Sequence, residues 1–265
     1  MEQPGAPEGP ISPGQGNPPA QPPPAQPPAA PPPAAPPAVQ QPGQPSAIES
    51  FSLLDRESRR RRDTDQQLSF AMFLVLGFIT LGIYVIYVHY KMIERQQEHY
   101  KRMGRFNQDL FQVVEERAEA TGQTAALARD IDELRQLNDN YQRLQRGKER
   151  NPALWIILAI VTLGIAYLYI FWFLNDDLVL HQSAEAEYIE KASAVLNKLG
   201  IGRHPVVVEQ VVLDRSYPLY LFLSVITIGF FGIYWNYVLI RDPNEHFLEH
   251  DRFEDQLMSL IRTVA

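Results

Sequence analysis

From Pro218 to Ile240 the chain reads PLYLFLSVITIGFFGIYWNYVLI, twenty-three residues without a single charge. As a helix rising 1.5 Å per residue, such a stretch covers about 35 Å, enough for a hydrocarbon core roughly 30 Å thick. Two looser copies, Leu68 to Tyr90 and Pro152 to Leu174, fall beside it when Thr80, Thr162 and Thr227 are placed in register. This repetition predicts an all-α membrane protein with three membrane-embedded helical segments.

Counting from each threonine, the third residue before it is small (Gly77, Ala159, Ser224), the second after it is glycine (Gly82, Gly164, Gly229), and the seventh is tyrosine (Tyr87, Tyr169, Tyr234). In a continuous helix the small residue, Thr, the fourth residue on (Tyr84 in the first copy) and the seventh share one stripe. In lipid, helices associate through small residues and hydroxyl hydrogen bonds, so this stripe is the expected packing face and favours a homo-oligomer. Threonine bonding back one turn, with glycine two residues on, predicts a kink at Gly82, Gly164 and Gly229.

At these residues the chain resembles a bacterial family of small multi-pass membrane proteins, classed as a domain of unknown function, whose repeated signature reads T-x-G-I-Y-x-I-Y-W. Thr227, Gly229, Ile233, Tyr234 and Trp235 carry it best, followed by Thr80, Gly82, Ile83, Tyr84 and Tyr87. The second copy departs from it, with Ala166 where the family has Tyr. The resemblance implies a multi-pass protein of the bacterial inner membrane and brings no activity with it.

Outside the repeats, residues 1–47 hold every one of the 22 prolines except Pro152, Pro205, Pro218 and Pro243. This composition predicts a disordered, partly polyproline tail acting as a spacer, with protein recruitment as its sharper use. Residues 48–67 form a basic membrane-flanking segment. Its Arg59, Arg60, Arg61 and Arg62 read as contacts to anionic lipid, and the acidic neighbours Asp55, Glu57, Asp63 and Asp65 argue against nucleic acid. After the first membrane segment (68–90), apolar residues at helical spacing predict a coiled-coil-like hairpin over 91–150. The second segment (152–174) leads into an amphipathic helix and connector (176–217), where PVVVEQVVL at 205–213 has strand-like composition, with helix or irregular structure as alternatives. After the third segment (218–240), Asp242 and Pro243 would open a C-terminal amphipathic helix within 241–265.

Chemistry is sparse. His246-Phe247-Leu248-Glu249-His250 matches H-x-x-E-H, a zinc-protease string, but past the adjoining Asp251 only Glu254 and Asp255 follow as downstream carboxylates, so the reading is of polar histidines on an amphipathic helix. His89, His99, His181 and His204 lack partners at ligand spacing and read as surface or interfacial. No catalytic, cofactor-binding or metal residues are expected. The segments carry none of the acidic or basic groups that proton and ion carriers place at bilayer depth, and no phosphate-binding loop or nucleophile elbow occurs. The sequence therefore predicts no enzyme, but a self-associating membrane scaffold whose partners are the bilayer and a protein held by the tail or the helical hairpin. An oligomeric pore or carrier lined by the Thr/Gly/Tyr stripe is the alternative.

Topology divides two ways. Arg143, Arg146, Lys148 and Arg150 before the second segment, against Asp176 and Asp177 after it, place its ends on opposite sides of the bilayer and favour three spans. The rival folds each segment back at its Thr and Gly, which threatens unpaired backbone deep in lipid.

Overall fold

The computed structural model describes residues 47–263. Apart from Ala47, the proline-rich tail lies outside the described residues. Eight helices follow one another: α1 (Ala47–Thr64), α2 (Phe70–Ile79), α3 (Ile83–Ala120), α4 (Ala128–Gly147), α5 (Pro152–Val161), α6 (Ala166–Lys198), α7 (Tyr217–Ile226) and α8 (Phe230–Arg262). The repeating unit is a ten-residue apolar arm (α2, α5 or α7), a break, and a helix of 38, 33 or 33 residues that runs on without interruption into the amphipathic region.

Each apolar segment thus reverses in its middle, and no helix among the described residues is long and apolar enough to cross a membrane. The reversal is a left-handed step on two residues: Leu81 and Gly82 (φ 50° and 92°), Leu163 and Gly164 (50° and 93°), Ile228 and Gly229 (53° and 86°). Gly82, Gly164 and Gly229 are needed for that backbone, not for space, because a Cβ on any of them would meet nothing within 4 Å. The helix-ending motif is closed by Gly82 N–H donating to Gly77 O at 2.8 Å, Gly164 to Ala159 at 2.8 Å and Gly229 to Ser224 at 2.7 Å.

Threonine then serves both helix ends at once. Thr80 Oγ1 donates to Leu76 O (2.6 Å) and accepts from Tyr84 N–H (2.9 Å). Thr162 does the same between Leu158 O and Ala166 N–H, and Thr227 between Leu223 O and Phe231 N–H. The unpaired backbone that argued against a fold-back is reduced at each turn, where the hydroxyl takes one N–H of the returning helix and main-chain bonds such as Leu81 N–H to Phe78 O and Ile83 N–H to Thr80 O take others.

The arms of each unit lie side by side. Phe73 faces His89 with ring centroids 6.1 Å apart, Trp155 faces Phe173 at 5.4 Å, and Tyr220 faces Trp235 at 5.5 Å. Phe73, Ile156, Ala159, Ile170, Phe173, Trp235 and Leu239 join the three units in one apolar core.

The open ends of the three units meet in a polar layer. Lys148 pairs with Asp177 at 2.7 Å and Asp176 at 3.2 Å, and Arg150 reaches Asp177 at 3.3 Å. These charges, read from the sequence as marking opposite sides of a bilayer, are a clasp across one end of the second unit. Buried Arg95 sits in the same layer. It donates to Asn244 Oδ1 (2.6 Å) and to the carbonyls of Leu239 (3.3 Å), Ile240 (3.1 Å) and Gln66 (3.2 Å).

That contact explains a second correction. Pro243 does not start the terminal helix but lies inside α8, where a proline removes the hydrogen bond to the carbonyl four residues earlier. That carbonyl, Leu239 O, is one of those Arg95 takes.

Beyond the polar layer, α1, α3, α4, α6 and α8 enclose a second core built on Leu54, Met103, Phe106, Leu110, Leu134, Tyr188, Val195, Phe253 and Leu257. The 91–150 pairing is α3 against α4, turned at Gly122 (φ 66°). The strand-like run forms no strand. Instead Ser193 Oγ accepts from Val206 N–H, Glu249 from Glu209 N–H, and Gln182 bonds both N–H and C=O of Val212, while Val206, Val208 and Val212 are buried. Side chains on α6 and α8 supply what a sheet partner would.

Candidate functional site

Two features stand apart from ordinary packing. The first is the end of the molecule formed by the three reversals. Leu81, Leu163 and Ile228 are 94%, 95% and 91% exposed, flanked by exposed Phe78, Ile79, Val161, Ile165, Val225 and Phe230. With the open ends of all three units held in the polar layer, these tips gather at the opposite side. A left-handed residue at a helix end in water is usually Gly or Asn, and a bulky aliphatic there costs about 1–2 kcal/mol. All three copies accept that cost and expose the side chain.

The second is a cluster in the body. His99 (α3), His181 (α6), and His246 and His250 (α8) are fully or almost fully buried, and one ring nitrogen of each lies within 4.8 Å of all the others. The expectation of surface or interfacial positions for His99 and His181 is overturned by this burial, and His246 and His250, read as polar histidines of an amphipathic helix, lie on its buried side. His99 Nε2 is 3.2 Å from His181 Nε2, and His250 Nε2 is 3.1 Å from His246 Nε2. The Glu185 carboxylate projects into the same space from α6, 2.8 Å from His250 Nε2, 3.6 Å from His181 and 3.8 Å from His246. Neither of its oxygens accepts a well-directed hydrogen bond.

The outward nitrogens are held from behind. Asp65 Oδ1 lies 3.0 Å from His99 Nδ1, Glu254 Oε1 3.2 Å from His250 Nδ1, and Tyr141 and Gln145 lie 3.2 and 2.9 Å from His181 Nδ1. Buried Arg102 joins Asp65 and Glu254, each at 2.8 Å.

Burial dominates the titration here. It drives the pKa of His181 and His246 well below the ordinary histidine value, and lowers His99 despite Asp65. His250 is the exception: burial opposes its charge, but Glu185 and Glu254 outweigh that and push it up to about 9. Burial also works against charged Asp65, yet His99 and Arg102 hold its carboxyl well below the usual range.

The residues singled out in the sequence separate into different roles. Because the helix ends at each threonine, Gly77, Thr80, Tyr84 and Tyr87 do not lie along one continuous helical stripe, and neither do Ala159, Thr162 and Tyr169 or Ser224, Thr227 and Tyr234. Gly77 is buried against its own returning arm, where a Cβ would meet Val85 Cγ2 at 2.9 Å, and Ala159 is buried too. Tyr87, Tyr169 and Tyr234 are exposed. Gly82, Gly164 and Gly229 mark full reversals instead of kinks. Arg59, Arg60 and Arg61 pair with Asp55, with Glu57, and with Asp251 and Asp255, while Arg62 is exposed. In the H-x-x-E-H string both histidines enter the cluster, but Glu249 turns away to Arg252 and Glu209 N–H, so the protease pattern is absent.

The sequence did contain the signal for the cluster. His99, His181 and His246 each follow their threonine by nineteen residues (99 − 80, 181 − 162, 246 − 227). This register lies about two turns beyond the apolar part of the repeat, where hydropathy no longer marks the copies. No family model matches the sequence, and no match to it was found among curated proteins or solved structures.

Proposed function

We propose that the chain is a monotopic scaffold of the bacterial inner membrane. Three re-entrant hairpins enter one leaflet and return, holding the helical body and its proline-rich tail against a single face of the bilayer. The reading rests on one observation, that all three apolar segments reverse at an exposed aliphatic tip while their open ends are pinned together in a polar layer.

Arms of ten residues reach about 15 Å, half the thickness of the hydrocarbon core. At about 1.5–3 kcal/mol for each fully covered side chain, Leu81, Leu163 and Ile228 alone would contribute about 5–9 kcal/mol to anchoring. The threonine hydroxyls are spent on the backbone, which leaves them unable to line a path and disfavours the pore. No catalytic role is proposed. The role is interaction, with self-association and a protein partner at the body or tail.

Because the chain has no cysteine, single Cys at the exposed positions Ser52, Thr121, Ser183 and Ser259 can be tested with an impermeant maleimide in intact and opened cells. All four should share one accessibility. Opposite labelling of Ser52 and Ser183 against Thr121 and Ser259 would establish three spans instead.

A further inference from the structure

We propose that His99, His181, His246 and His250, with Glu185, bind one divalent first-row transition-metal ion, and that this ion ties together the helices descending from the three hairpins. Four features of the cluster converge on a cation. The first is spacing. Nitrogens about 2.0–2.1 Å from a common centre in tetrahedral array stand about 3.3 Å apart, and the two closest pairs here are 3.2 and 3.1 Å apart.

The second is lone-pair direction. A carboxylate can only accept, so Asp65 and Glu254 fix the proton of neutral His99 and His250 on Nδ1 and leave each Nε2 lone pair turned inward. Carboxylate behind imidazole is the usual support of a metal-bound histidine. His181 gains the same support if the Gln145 amide is turned over, because Gln145 Oε1 has no partner as placed and would then accept from Nδ1.

The third is charge. Asp65, Glu185 and Glu254 bring three buried carboxylates against the one permanent positive charge of Arg102, an excess of negative charge that a proton on His250 offsets only by half and that a divalent ion in that proton's place cancels. The unpartnered oxygens of Glu185 are where that excess lies.

The fourth is register. One histidine comes from the same position of each repeat, and His250 and Glu185 each add a donor one turn on. Imidazole and carboxylate without thiolate suit Zn²⁺, Fe²⁺, Co²⁺ or Ni²⁺ and disfavour copper(I).

The test uses untagged full-length protein in detergent, stripped with chelator and titrated with Zn²⁺ or Co²⁺. Expected are one ion per chain, a raised Tm, and visible d–d absorption bands with Co²⁺. Glu185→Gln, nearly isosteric, should weaken Zn²⁺ binding at least tenfold while leaving the helical circular dichroism intact. Asp65→Asn, acting through His99, should weaken it about 10–100-fold, and His204→Gln, at an exposed position, should change nothing. Failure of the stripped wild-type protein to bind either ion would overturn the proposal. So would stoichiometric binding that Glu185→Gln, Asp65→Asn and His181→Gln all leave untouched, since the ion would then sit elsewhere.

Discussion

The hairpin layer and the helical body distribute polarity in opposite ways. In the hairpins the aliphatic residues Leu81, Leu163 and Ile228 are outermost, while the threonine hydroxyls turn back onto the backbone. In the body Arg102, Glu185, Glu254 and four histidines are innermost. A helix is read from sequence by its apolar face, and that criterion describes the body's packing but inverts at the hairpin tips. The contrast follows if the two regions meet different solvents. On the proposed reading, the hairpins satisfy their backbone internally because lipid offers no hydrogen bonds, and the body holds charge inside because Arg102 bridges Asp65 and Glu254, with Glu185 left to the proposed ion.

The largest effect expected from breaking this contrast is at the tips. Leu81→Asp, Leu163→Asp and Ile228→Asp together place three charges where lipid is proposed, at about 2.5–3.5 kcal/mol each, or about 8–10 kcal/mol in all. The triple variant should leave the membrane fraction in a carbonate wash that retains the wild type. Full retention would remove the tips as the anchor.

In the body the sensitive residue is Arg102. Arg102→Met leaves Asp65 and Glu254 without their shared partner and should cost about 3–5 kcal/mol, read as a fall in Tm in detergent. The tip variant Leu81→Ala should leave that Tm nearly unchanged. Equal effects from the two would mean that the regions are not distinct environments.

A smaller effect isolates the double cap. Thr80→Val keeps the shape but removes the acceptor for Tyr84 N–H and the donor to Leu76 O, for about 1–2 kcal/mol. Thr80→Ser should recover most of it. If Val and Ser behave alike, the hydroxyl is not what closes the reversal.

The smallest concerns Asp109, which is half-buried on the body. Burial and then Glu57 push its carboxyl up to about 6, against the opposing effect of Arg56 and Arg105. A carboxyl whose folded pKa is raised burdens the folded state above that pKa and ceases to do so below the unfolded value near 4. Asp109→Asn should therefore stabilise by about 1 kcal/mol at pH 7.5, after discounting for solvent screening, and not at pH 4. Chemical denaturation at the two values checks it, and a gain of the same size at both would rule the carboxyl out as the cause.

How much of this was visible in the chain differs between the two regions for a physical reason. The all-helical architecture and the threefold repeat were legible because hydropathy and threonine spacing are local. The reversal was legible at each Thr and Gly as the rival to a straight span, and was disfavoured because it threatened unpaired backbone deep in lipid; the left-handed Leu81, Leu163 and Ile228 that make the turn gave no signal, since a bulky aliphatic is a poor candidate there by water-based rules. The charges at Lys148, Arg150, Asp176 and Asp177 misled because a statistical rule about sidedness cannot tell separation from pairing. The histidine cluster was hidden by distance in sequence: His99, His181 and His246 come together only once three helices are packed. Their common offset from threonine was nevertheless there to be counted.

The most direct test of the fold-back is the distance between the two ends of one apolar segment inside a bilayer. With spin labels on Cys at Ala153 and Asn175 in liposomes, a straight helix would hold the positions about 33 Å apart, at 1.5 Å for each of 22 residues. Neighbouring antiparallel helices pack with axes about 8–10 Å apart. The account predicts a separation of about 10–15 Å between the labelled backbone positions, insensitive to bilayer thickness. A distribution centred near 33 Å would contradict it.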